Sequence, residues 1–189
     1  MLATQILQET APQATALSAG LLIARLVFGV SMSAHGAQKL LGWFGGYGLT
    51  GTGQFFDNLG FRPGRMFAAI ASTTEIVGGL LLAFGFLGPV GPALIVSVMI
   101  VAVVTVHWNN GFFASSNGIE LPLLFAAVAV VLAFTGPGSY SLDALLGLQA
   151  LWSPAFAATA LGVGILGAIG NLTLRRRALS AGPAGIRTT

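Results

Sequence analysis

The chain has 189 residues, 55% of them hydrophobic and 7% charged, with a net charge of +3 and no cysteine. A soluble domain carries about 25% charged residues, so a water-facing globular enzyme is excluded, and so is a disordered chain, which needs low hydrophobicity and high charge. The missing cysteine removes disulfides, thiol redox chemistry, zinc–thiolate sites and cysteine-ligated iron–sulfur clusters.

Spans need about 20 apolar residues. In lipid each must satisfy its own backbone, so continuous apolar runs predict helices rather than the alternating strands of a barrel. After an N-terminal tail, 1–16, the first span covers 17–41. No Lys or Arg precedes Arg25, so the basic start of a signal peptide is missing and the segment reads as a retained span. Then come Gly42-Trp43-Phe44-Gly45-Gly46-Tyr47 and Gln54-Phe55-Phe56-Asp57-Asn58-Leu59. They read as a short interfacial helix with Phe55, Phe56 and Leu59 inserted, or as an aromatic-belt loop. The second span, 66–84, and the third, 92–106, form a hairpin around Gly85, Gly88, Pro89, Gly91 and Pro92. Gly111-Phe112-Phe113 dips into the interface before a fourth span, 119–135. The fifth, 155–174, carries Ala160, Gly164 and Ala168 as a small-residue stripe that docks on its own bundle or on another subunit. A basic tail, 175–189, follows. Its run Arg175-Arg176-Arg177 beside an apolar helix does not make a nucleic-acid interface. The fold class is an all-α integral membrane bundle, with a four-helix domain over 17–146 and an additional helix within 147–174.

Lys39, Arg62 and Arg65 surround the first loop and Arg175, Arg176, Arg177 and Arg187 the C-terminus, while the intervening turns on the other side carry no Lys or Arg. Five spans put these two regions on one side. The positive-inside rule then predicts an outside N-terminus and a cytoplasmic C-terminus.

Ionisable residues within spans are costly and face a bundle interior. With Lys39 and Met66 set level, a rise of 1.5 Å per residue puts His35 at about 6 Å, Glu75 at about 13 Å and Arg25 at about 21 Å. Arg25 and Glu75, about 8 Å apart in height, are within reach of a long Arg side chain and are expected to pair. Such a pair also serves simply to fix helix register. His107 closes the third span and Glu120 opens the fourth at the end where His35 and Lys39 lie. These four are the candidate catalytic cluster, with Trp43, Phe44 and Trp108 as the aromatic lining of a head-group site. Snorkelling of Lys39, interfacial anchoring by His107 and helix capping by Glu120 are the bland alternatives. The two histidines and scattered carboxylates show no specific metal spacing, and no metal is expected.

Read in order, the residues resemble the DoxX family. The likeness rests on Arg25, on His35-Gly36-Ala37-Gln38-Lys39-Leu40 with Gly42-Trp43-Phe44, and on Glu75-Ile76-Val77-Gly78-Gly79. It continues through His107, Gly111-Phe112-Phe113, Gly118-Ile119-Glu120, Gly136-Pro137-Gly138 and Ser141-Leu142-Asp143, covering about 20–146. The resemblance implies a bacterial inner-membrane four-helix core and a membrane subunit of a quinone-linked oxidoreductase. Relatives are associated with thiosulfate:quinone oxidoreduction and with sulfurtransferase and superoxide dismutase partners. The fifth span departs from the family's usual four. A quinone needs an apolar aromatic slot, hydrogen bonds to its carbonyls and proton-exchanging groups, which His35, Lys39, His107 and Glu120 supply. Two rival readings stand beside it: a structural or assembly subunit of a larger complex, and a small proton-coupled carrier. Expected partners are membrane lipid and either other subunits or a second copy, docked through Ala160, Gly164 and Ala168 of the fifth helix.

Overall fold

The computed structural model describes residues 2–181, with side chains from Pro12 onward. Its regular structure is helical, with no strand among the described residues: α1 Leu2–Leu41, α2 Gly48–Asn58, α3 Gly64–Phe84, α4 Val90–Ala102, α5 Glu120–Thr135, α6 Leu142–Leu145 and α7 Pro154–Ser180. α4 runs on through a π turn, Val103–His107, and a 3-10 turn, Trp108–Asn110. Arg187 and the end of the basic tail lie outside the described residues.

Four apolar rods are long enough to cross a bilayer: Pro12–Leu41, Gly64–Phe84, Val90–Asn110 and Pro154–Ser180. α5, the expected fourth span, has 16 residues. That is a rise of about 24 Å, short of the ~30 Å hydrocarbon core. It nevertheless joins the two ends of the bundle. It begins at the loop that follows His107, and the turn after it meets α1, where Ser18 Oγ lies 3.3 Å from Ser139 Oγ. α7 returns the chain, with Trp152 at the α6 end and the Arg175 Nε–H donating to the Leu59 carbonyl at 2.6 Å. One end of the bundle thus holds Lys39, Arg62, Arg65 and Arg175. The opposite end holds Arg25, Gly85 and Asp143.

Small residues let the central helices touch backbone to backbone. A Cβ on Gly29 would stand 2.6 Å from both the Ala83 nitrogen and the Gly79 oxygen, and one on Gly36 would stand 2.7 Å from the Ile76 side chain. α1 and α3 therefore pack at glycine distance between Gly29–Gly36 of α1 and Ser72–Ala83 of α3. Met32, Leu82, Ile95, Met99, Leu132 and Leu161 fill the core between α1, α3, α4, α5 and α7. The stripe on α7 faces this core. Ala168 is fully buried, and a Cβ on Gly164 would meet the Ala93 carbonyl at 2.5 Å. Of the two surfaces the stripe was expected to serve, it serves the chain's own α4, because α4 presents the equally small Ala93 there. The outward face of α7 stays open, with Val163 65% and Leu166 68% exposed.

The end remote from Lys39 is clamped by Asp143, which is wholly buried. Its carboxylate accepts the Leu87 N–H at 2.8 Å, the Gly88 N–H at 2.6 Å and the Trp152 indole N–H at 3.2 Å. One side chain thereby ties the α3–α4 hairpin to α6 and to the start of α7. Arg25, also buried, donates to the Ala83 carbonyl at 3.3 Å and the Tyr140 carbonyl at 2.5 Å.

Candidate functional site

At the Lys39 end the helices part around a cavity of about 820 Å³. Phe55, Phe56 and Leu59 of the α2 segment roof it, Glu75 comes from α3, His107 from the π turn and Asn171 from α7. The segment between α1 and α3 therefore takes the helical form of its two expected readings. α2 is held by the buried Thr52, whose hydroxyl donates to the Lys39 carbonyl at 3.1 Å, and by the Asp57 carboxylate, which accepts the first α3 amide, Gly64 N–H, at 2.8 Å.

Glu75 is the polar centre. Its residue is 1% exposed, and one carboxylate oxygen, Oε1, is paired with the Lys39 ammonium. The other, Oε2, is buried without a hydrogen-bond partner. The Lys39 side chain is 34% exposed, so it runs from the interface down to the carboxylate. The expected Arg25–Glu75 pair is thus corrected to Lys39–Glu75. The reason is register: Gly36 lies against Ser72 and Ile76, and Gly29 against Gly79 and Ala83. α1 therefore sits about five residues, or about 7 Å, from the alignment that set Lys39 level with Met66. Arg25 comes level with the C-terminal end of α3, beyond the reach of Glu75, and Lys39 comes within one turn of it.

His107 lines the cavity from the end of the π turn, a single widened turn of the kind often found at functional sites. Its Nδ1 lies 2.8 Å from the Asn117 carbonyl. A carbonyl only accepts, so Nδ1 carries a proton in this bond. The other expected site residues lie elsewhere. Glu120 staples the 111–120 loop, its Oε2 accepting the Ala114 N–H at 2.7 Å. His35, one turn before Lys39 on α1 and within electrostatic range of it and of Glu75, is not part of the cavity lining and lies edge-on to Phe125 at 5.9 Å. Trp43, Phe44 and Trp108, at 59%, 71% and 66% exposed, lie outside the cavity lining. No three of His, Asp and Glu converge as a metal-binding group among the described residues.

The DoxX family profile matches residues 20–108, which contain Lys39, Glu75 and His107. "Putative oxidoreductase CatD" of Bacillus subtilis is 31% identical over 124 residues, 66% of this chain and 84% of that protein. The chain belongs to the DoxX family. "Inner membrane protein YqjF" of Escherichia coli is 29% identical over 127 residues, 67% of this chain and 92% of that protein. No solved structure matches the chain. This DoxX protein is a multi-pass membrane protein by its helices and by its relatives.

Several DoxX cavity residues escape a reading of sequence. Phe61 and Phe67 line the cavity beneath the roof, and nothing in their spacing separates them from lipid-facing phenylalanines. Asn171 was hidden in the apolar run of α7, where an amide was the one available signal. Asp143 read only as part of the loop motif Ser141-Leu142-Asp143 between the fourth and fifth spans, and its backbone and indole donors come from other turns.

Proposed function

We propose that this protein is the membrane subunit of an oxidoreductase and that its cavity takes the ring of a quinone. The carrying observation is a wholly buried carboxylate, Glu75, with one oxygen paired and the other without a partner, at the polar end of an aromatic-roofed cavity large enough for a small ligand. A buried acceptor left bare costs about 1–3 kcal/mol, which a hydroxyl donor of the ring's reduced form would offset. These residues fit a quinone: Phe55, Phe56, Phe61 and Phe67 supply the apolar slot, and Lys39, Glu75 and His107 the polar contacts. The quinone would supply reversible two-electron chemistry. Glu75 and Lys39 would orient the ring, His107 would hold or release a proton, and the α2 roof would exclude water. Electrons would come from a substrate or a partner protein. The name of the Bacillus relative is in keeping with this redox role, and that of the Escherichia relative with a place in the inner membrane. The basic end, by the positive-inside rule, would face the cytoplasm.

The test is thermal unfolding of detergent-purified protein with ubiquinone or menaquinone. Saturation at 100 times Kd stabilises by about 2.7 kcal/mol. The expected result is a rise in Tm that is lost in the double variant Lys39→Met, Glu75→Met. No rise with either quinone, or an equal rise in the variant, overturns the proposal.

A further inference from the structure

We infer that the cavity opens sideways into the bilayer through a window between α3 and α7, and that its ligand is a ring carrying a long hydrocarbon tail, with the tail lying in that window. This rests on the quinone reading above and adds the route and the tail.

The window follows from how neighbours surround α4. A Cβ on Gly91 would stand 2.9 Å from the Gly78 carbonyl of α3, and a Cβ on Gly164 of α7 would stand 2.5 Å from the Ala93 carbonyl. At about 100° per residue, Gly91 and Ala93 point about 160° apart around α4. One arc between them holds Val96 and Met99, buried in the core with Leu132 of α5. The other holds Ser97 and Val101, which are half-buried and line the cavity. α4 is thus the back wall of a gap whose sides are α3 and α7.

Both sides run out to the membrane face. Ile70 lines the cavity yet is 48% exposed, and it lies within about 20° of the outward Val77 on α3. Asn171 lines the cavity from α7, and the exposed Gly167 and Leu174 lie within about 60° of it. Gly167 keeps the gap wide, since a Cβ there would find only the Ser97 hydroxyl within 4 Å, at 3.6 Å. Toward the basic end the gap is shut. There Arg175 bonds the Leu59 carbonyl, its guanidinium lies 5.9 Å from the centre of the Phe61 ring, and Leu179 packs on Gly60. From Gly164 to Arg175 the opening runs for about 16 Å. It lies between two rods apolar enough to cross a bilayer, so it faces hydrocarbon rather than water. A ligand that reaches Lys39, Glu75 and His107 this way has to dissolve in lipid, and a tail left between Ile70 and Gly167 stays in contact with the bilayer.

Photo-crosslinking of the full chain in phosphatidylcholine vesicles tests this. One probe is a benzoquinone with a diazirine on the first unit of an isoprenoid tail; the other is a phosphatidylcholine with a diazirine on an acyl chain. The expected result is quinone label on Ile70, Gly167 and the stretch from Ser97 to Val101, displaced by unlabelled tailed quinone. Displaceable label confined to 47–59, or to α1 and α5, overturns the window and leaves the cavity reading standing. So does lipid label between Ser97 and Val101 that excess tailed quinone does not displace, because acyl chains then hold the gap. Displaceable label nowhere on the chain overturns the cavity reading itself. Gly167→Phe gives a second measure, since it fills the opening from an exposed position. It should weaken the tailed quinone at least about tenfold, or about 1.4 kcal/mol, and leave a tail-free quinone within about threefold. Equal weakening of the two, or of neither, in the folded variant overturns the window.

Discussion

Lys39 and Glu75 show how a buried pair divides its cost. Glu75 has no water to turn to, whereas Lys39 reaches the interface. Lys39→Met should therefore destabilise the protein by up to about 3 kcal/mol, the low end for an orphaned buried charge. Lys39→Met with Glu75→Met should recover most of that loss, since neither charge then remains. Thermal unfolding in detergent checks both, and an unaffected single variant would show that the carboxylate finds another partner. At the opposite end, Asp143→Ala strands three donors at once, the Leu87 and Gly88 amides and the Trp152 indole. A loss of about 3 kcal/mol or more is expected in the same assay, at about 1–3 kcal/mol for each stranded buried donor. Gly85 is constrained twice, by φ 62° and by the Arg25 guanidinium in the space a Cβ would take. Residue chemistry of this kind was only partly legible in the sequence. The cost of burying Arg25 and Glu75 was plain from their apolar surroundings, but their partners were not, because a five-residue offset between two helices leaves no trace in either helix alone.

Among the elements, α7 shows the opposite balance. Its glycines look alike in sequence yet differ in what surrounds them. Gly164 lies on the Ala93 backbone, while Gly162 and Gly170 have open space where a Cβ would stand. Gly164→Val should loosen α7 from α4 by about 1–3 kcal/mol, as overpacking does. Gly170→Ala should be neutral or slightly stabilising, since Gly in a helix costs up to about 1 kcal/mol relative to Ala. A matched pair of melting curves reads the difference, and equal behaviour would place the stripe away from α4. The spans themselves were legible within a few residues because hydropathy over 20 residues is a strong signal. The π turn was not, since one added residue per turn leaves composition unchanged, yet it brings the chain to His107 at the cavity. α2 was legible as one of two options, because a run of glycines and aromatics suits a helix and a loop alike until Thr52 and Asp57 find their partners.

For the whole molecule, the membrane side of each end is an expectation from the positive-inside rule. The bond from Arg175 to the Leu59 carbonyl puts the basic run of α7 beside the first loop. With no cysteine in the chain, single cysteines at Ser180 and at Ala150 report the two faces without background. An impermeant thiol reagent should label Ala150→Cys from outside and Ser180→Cys only after the membrane is opened; the reverse pattern would invert the topology. The Asp143 clamp bears on how such a molecule can work. A device that ferries cargo must open alternately to either side, and to do so its ends must come apart in turn. Here one end is bolted by a carboxylate that joins three stretches of chain, while the other is roofed by a short helix under two-point attachment. On that arrangement the α2 end is the one expected to admit a ligand while the Asp143 end stays shut, the opposite of what alternating access demands.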